Sequence, residues 1–157
     1  MEERNINAIL EQGMSGMSCT CGELRKAARA ITLLYDNAMK SSGLLSTQFV
    51  VLDVICNSDA TKISDLSEKQ GMDRTTLTRN LSVLERQGFI KISPGRDHRT
   101  RIVIATQKGR SAVTNALPLW KEVQGKVKQQ MGESSWRELM QNLGHFVTVA
   151  DQLIDQN

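Results

Sequence analysis

Apolar side chains recur at helical spacing through most of this chain and change to a strand period only once, after Gly88. Ile6, Ile9 and Leu10 predict a short helical arm that Gly13 and Gly16 break. From about Thr20, Leu24, Ala27, Ala28, Ile31, Leu34, Tyr35 and Ala38 trace one face of a long helix that Ser42-Gly43 ends. A second helix, with Ser46 as its expected cap, carries Phe49, Val50, Leu52, Val54 and Ile55 and stops at Asn57-Ser58-Asp59. A short third helix runs from near Ile63 to Lys69, with Leu66 inward and Gly71 closing it.

The fourth helix has the clearest start signals. Asp73 is a natural N-cap, and Met72 and Leu77 stand at the positions of a hydrophobic staple. Leu77, Leu81 and Leu84 form its apolar stripe, and Gly88 is the expected stop. Its other face carries Arg74, Thr75, Thr78, Arg79 and Ser82, with no acid before Glu85. Phe89–Ile92 and Arg101–Ala105 then read as strands flanking the tip Ser93-Pro94-Gly95-Arg96-Asp97-His98-Arg99-Thr100. Thr106 caps a long helix through Val113, Leu117, Val123 and Val127, in which Pro118 is expected to cause a kink. After Gly132, a last helix to about Asp155 aligns Leu139, Leu143, Phe146, Val147, Ala150 and Ile154.

The predicted fold is therefore mainly α with a small β-hairpin wing: a winged helix-turn-helix domain plus a helical dimerisation region. The winged part is expected over 46–110, and 1–45 with 111–157 form the helical dimerisation part of a single domain. The apolar stripes of the first and last long helices exceed what one winged unit can cover, and a homodimer is the economical way to bury them.

Charge sharpens this picture. Between Arg74 and Arg101 seven Lys/Arg face only Glu85 and Asp97, so this window is +5 in a chain of net charge +3, and the remainder is negative. Positive charge gathered on one helix-hairpin unit is the footprint of a phosphate-binding surface. A helix of about 10–12 Å diameter fits the roughly 12 Å major groove. Arginine can bond guanine in bidentate fashion there, and an arginine on a hairpin tip can reach the narrow minor groove. No apolar run approaches the roughly 20 residues of a membrane span. MEERNINAIL lacks the pattern of a signal peptide, and three cysteines make no disulfide framework. A cytoplasmic protein is expected, with no membrane association.

The stretch Asp73-Arg74-Thr75-Thr76-Leu77-Thr78-Arg79-Asn80-Leu81, followed by Leu84-Glu85-Arg86-Gln87-Gly88-Phe89-Ile90, resembles the recognition helix of the MarR family of regulators. The wing, Asp97-x-Arg99-x-Arg101-x-Val103-x-x-Thr106 and then Lys108-Gly109-Arg110, is similar to that family's as well, with Ala105 where leucine is common. The resemblance covers about residues 20–155. It implies a homodimeric transcriptional regulator, a repressor in the main, binding a pseudo-palindromic operator in double-stranded DNA. Carried over by position, Arg74, Thr75, Thr76, Thr78 and Arg79 face the major groove, and Arg99 enters the minor groove. Asp97 braces the hairpin against a neighbouring arginine, and Arg96 and Arg101 complete its basic tip.

The input is less legible. Cys19-x-Cys21 lacks a second ligand pair, so no metal or other cofactor is expected. The two thiols would point about 200° apart on a helix, and bridging them would need local unwinding. Cys21, at a helix start with Arg25 one turn on, stands in a setting that favours a thiolate. Relative to Ala28-Arg29-Ala30 and Tyr35 it is placed like the reactive cysteine of the organic-hydroperoxide-sensing branch of the family. That resemblance implies a contact between Cys21 and Tyr35 across the dimer, although Arg25 replaces a second tyrosine. A small residue packed at a helix start is the competing reading. Cys56 reads as core, and Met14, Met17 and Met39 could line an effector pocket or fill a core. The signal is thus a small-molecule effector or an oxidant. No nucleophile–base constellation or phosphate loop points to an enzyme. The alternative function is a winged-helix protein–protein module that does not bind DNA.

Overall fold

The computed structural model describes residues 19–58, 60–95, 97 and 100–156. The predicted arm and Met14 and Met17 lie outside them. Six α-helices are present among the described residues: α1 (Thr20–Met39), α2 (Ser46–Cys56), α3 (Ile63–Gln70), α4 (Arg74–Arg86), α5 (Gln107–Met131) and α6 (Glu133–Asp155). Three short strands, β1 (Thr61–Lys62), β2 (Ile90–Pro94) and β3 (Arg101–Ala105), form an antiparallel sheet in the order β1-β3-β2. This is the mainly α, winged-helix architecture that the sequence predicts.

The core gathers the inward stripes of α2 to α5 and the sheet. Phe49, Val51, Leu52 and Ile55 from α2 meet Leu66 from α3 and Leu77, Leu81 and Leu84 from α4. Ile90 and Val103 close it from the sheet, and Val113 and Ala116 from α5. Met39 is fully buried and fills core space. Cys56 packs half-buried against this cluster, as expected, and burial pushes its thiol pKa up.

One expectation needs correction, and two details go beyond what the sequence predicts. Ser46 is the first helical residue of α2 and not its cap. The free N–H groups are instead met by carboxylate and amide oxygens: Asp36 of α1 accepts from the Ser46 N–H at 2.7 Å, and Gln48 accepts from Leu45 at 3.0 Å. Val50 points outward, 42% exposed, because the helical phase that buries Val51, Leu52 and Ile55 turns it away. The wing is also more than a hairpin. The two-residue β1 pairs with β3 in the register Thr61↔Val103 and Lys62↔Ile102, so β3 becomes the central strand.

The helix boundaries follow their local chemistry. Gly71 (φ 57°) and Gly88 (φ 77°) take left-handed conformations that end α3 and release the chain into β2. The helix α5 runs through Pro118 without ending there. Gly132, at φ 80°, turns the chain from α5 into α6.

Candidate nucleic-acid interface

Asp73 caps α4 as predicted. Its Oδ1 accepts from the N–H groups of Thr75 and Thr76 at 2.9 Å each, and its Oδ2 accepts from the Thr76 hydroxyl at 2.6 Å. These bonds stabilise the ionised form and hold the Asp73 carboxyl below its ordinary pKa. At about 100° per residue, with Leu77, Leu81 and Leu84 pointing inward, Thr75, Arg79, Ser82 and Arg86 form the outward face. Arg74, Thr78 and Glu85 lie on the flank towards the wing, and Thr76 lies on the opposite flank.

The five α4 residues expected to face DNA therefore divide. Thr75 and Arg79 are exposed on the outward face. Arg74 and Thr78 line a cleft between α4 and the wing. The Thr76 hydroxyl is engaged in the cap, and the Thr78 hydroxyl donates to the Arg74 carbonyl at 2.6 Å. Ser82, on the outward face, donates in the same way to the Thr78 carbonyl at 2.8 Å. Such back-bonding leaves a hydroxyl to serve mainly as an acceptor.

The wing is tied to α4 and α5 at its base. Glu85 on α4 accepts from the Ile92 N–H of β2 at 3.0 Å, which satisfies an edge-strand donor and sets the strand against the helix. Thr106 caps α5 by accepting from Gly109 N–H at 3.1 Å, and its hydroxyl lies 2.7 Å from the Gly88 carbonyl oxygen, to which it donates. Lys108 reaches back to the Gln87 carbonyl at 2.7 Å, with its ammonium 5.1 Å from the centre of the Phe89 ring. The C-terminal end of α4 is thus fastened to the first turn of α5. At the tip, the Asp97 carbonyl accepts from the Thr100 N–H and from its hydroxyl, each at 2.8 Å, and Arg101 is exposed. Arg96, His98 and Arg99 lie outside the described residues, as does any pairing of Asp97 with them.

The MarR family model matches residues 44–99. The transcriptional regulator MosR of M. tuberculosis, in a crystal structure with DNA, is 38% identical over 86% of this chain and 98% of its own, with a TM-score of 0.80. The chain belongs to the MarR family. It is a DNA-binding transcriptional regulator and not an enzyme. A second crystal structure of M. tuberculosis MosR matches at 36% identity over 86% of this chain and 97% of its own, with a TM-score of 0.73. The transcriptional repressor CouR (Rhodococcus jostii RHA1) bound to a 23-mer DNA duplex shares the fold, at 19% identity over 82% of this chain and 92% of its own, with a TM-score of 0.73. No curated protein matches by sequence.

In this MarR-family chain Cys19 and Cys21 are both exposed. Cys19 is the N-cap of α1, in an extended conformation, and Cys21 is the second helical residue. Tyr35 lies fourteen residues beyond Cys21 on the same helix, about 21 Å along its axis, so the two do not meet within one chain. The Tyr35 hydroxyl instead donates to Gln124 of α5, and partial burial raises its pKa. Among the described residues no cluster of ligands could hold a metal ion, and no helix is long and apolar enough to cross a membrane.

The sequence reading missed Lys62 and Ser64, which line the cleft opposite α4. A two-residue strand carries no periodicity, so nothing local showed that Lys62 comes to lie beside Ile102 and the wing.

Proposed function

We propose that this protein is a homodimeric, sequence-specific repressor acting in the cytoplasm on a pseudo-palindromic operator. In this reading residues 46–110 form the winged DNA-binding part, and the helices of 1–45 and 111–157 form the dimer. The helix α4 enters the major groove with Thr75 and Arg79 foremost, flanked by Arg74, Thr76 and Thr78. The wing carries Arg96, Asp97, Arg99 and Arg101 to the adjoining minor groove. The observation that carries the reading is the face of α4: two exposed guanidiniums among short hydroxyl side chains, next to a wing fixed against the same helix. The DNA-bound state of MosR, at 38% identity, supports it.

The dimer reading rests on α1 and α6. Within one chain α6 has no buried residue, and Leu139, Met140, Leu143, Phe146 and Val147 are each more than a third exposed. Ile31, Leu33 and Leu34 of α1 are similarly bare. Release from DNA follows a small-molecule effector or an oxidant. The exposed Cys21 favours the oxidant: a thiolate attacking an organic hydroperoxide breaks the O–O bond and forms a sulfenic acid, and the departing alkoxide takes a proton from water to leave as an alcohol.

Binding to promoter duplexes, followed by anisotropy across a salt series, tests the function. The expected result is a log–log slope of about −0.9 per phosphate contact, with Arg79→Ala relaxing base preference at a loss of roughly 1–3 kcal/mol. Absence of duplex binding at low salt, with capture of a protein partner instead, would favour an interaction module. Hydroperoxide should release DNA from the wild type and not from Cys21→Ser. Equal responses would make Cys21 a packing residue.

A further inference from the structure

On B-DNA a major groove and the minor groove beside it are separated by one sugar–phosphate strand. A protein with a helix in one and a hairpin in the other must straddle that strand. Here the space between α4 and the wing is a cleft of about 520 Å³, floored by Leu81 and Ile92. Its third wall is not part of either reading element. It is the β1–α3 junction, which contributes Lys62, Ile63 and Ser64.

We propose that this cleft is the seat of the DNA strand between the two grooves, and that Lys62 is a phosphate contact lying outside both the recognition helix and the wing tip. The proposal rests on the DNA-binding reading above and names where its backbone term originates. Three cations line the cleft, Lys62, Arg74 and Arg101, and none forms an ion pair among the described residues. The cleft's hydroxyls are already committed as donors. Ser64 donates to Asp65 at 2.9 Å, Thr78 to Arg74, Ser82 to Thr78, and Thr100 to Asp97. An incoming anion therefore meets cationic N–H groups as its available side-chain donors.

The one acid of the cleft, Glu85, accepts the Ile92 N–H with one oxygen and so holds the wing at a fixed distance from α4. Lys62 is equally well placed. Its backbone pairs with Ile102 in the sheet, next to Arg101, so its stem starts from a hydrogen-bonded strand, while the side chain is exposed and makes no ion pair among the described residues. Ammonium and guanidinium groups both suit a phosphodiester, the ammonium as a point charge and the guanidinium as a fork.

The test compares wild type, Lys62→Ala and Lys62→Arg on one high-affinity duplex and one scrambled duplex, from 50 to 200 mM salt. Lys62→Ala should lower the log–log slope by about 0.9 per bound protomer, a change of about 3.5-fold per contact over that fourfold salt range. It should weaken both duplexes by the same factor, leaving base preference intact, and Lys62→Arg should restore the slope. Lys62 is exposed, so far-UV dichroism and a melting curve should show an unchanged fold. If the wild type binds steeply and Lys62→Ala leaves the slope unchanged, the seat is wrong and the DNA reading stands. If the wild type shows no salt-dependent duplex binding, both fall. A loss confined to the high-affinity duplex would also overturn the proposal, because it would make Lys62 a base reader.

Discussion

Replacing Gly109 by alanine tests the joint that holds the wing to the rest of the molecule. A Cβ at this position would stand 2.1 Å from the Phe89 carbonyl oxygen and 3.0 Å from the carbonyl carbon. Carbon–oxygen contacts settle at about 3.3–3.6 Å, so β2 or the first turn of α5 must give way by more than 1 Å. The same oxygen accepts the Thr106 N–H at 3.0 Å and lies 3.1 Å from the Thr106 hydroxyl. Overpacking costs about 1–3 kcal/mol and a weakened hydrogen bond about 1 kcal/mol. Better helix propensity returns about 1 kcal/mol. The balance is a loss of about 2 kcal/mol, or a fall in Tm of about 4–8 °C for a chain of this size. Gly125, on the same helix with nothing within 4 Å of an added Cβ, is the control. There alanine should gain about 1 kcal/mol, because propensity acts alone. Melting curves at one fixed protein concentration decide the matter. A Gly109→Ala protein as stable as wild type, beside a stabilised Gly125→Ala, would refute the steric argument.

Thr61 is 5% exposed, and its hydroxyl has no hydrogen-bond partner among the described residues. Thr61→Val should therefore raise stability by about 1 kcal/mol in urea titrations, and a loss would reveal a partner. The folded-state pKa of Asp73 is depressed, so its contribution is full above the ordinary value of 3.8 and is lost as pH falls through the lower folded value. Asp73→Asn, which still caps, should retain stability at neutral pH and flatten the acid limb of the stability profile. The double variant Leu143→Asp/Phe146→Asp places charge on the exposed apolar face of α6 and should sediment as a monomer. A dimer persisting at micromolar concentration would put the interface elsewhere.

What could be read from the sequence was what neighbouring residues decide among themselves. Asp73, the Leu77–Leu81–Leu84 stripe and Gly88 delimit α4 by local rules, and the structure has the helix there with that cap and that stop. Thr106 capping α5 and Gly132 closing it follow for the same reason. The cap at Ser46 is decided by tertiary structure and not by neighbours in sequence: the group meeting that N–H is Asp36, ten residues earlier on another helix. Propensity favoured the nearest hydroxyl, and a tertiary carboxylate took the position.

The candidate interface divides along the same line. The outward face of α4 could be read because 3.6-residue periodicity assigns Thr75 and Arg79 to the side opposite the leucines. The same periodicity separates Thr76 from Thr78, yet it does not show that one hydroxyl completes a cap and the other bonds its own helix. The cleft was illegible, since its walls come from three segments of the chain, near residues 62–64, 74–92 and 100–101. Two contacts between separate elements bring them together: the pairing of Lys62 with Ile102, and the Glu85 carboxylate on the Ile92 N–H. Neither leaves a periodic trace. Glu85 reads in sequence as the acid that ends a basic face, and in the structure it is the group that fixes the wing to that face. A cationic surface therefore keeps one carboxylate because an edge-strand N–H needs an acceptor there, and that acceptor holds α4 and the wing at one spacing.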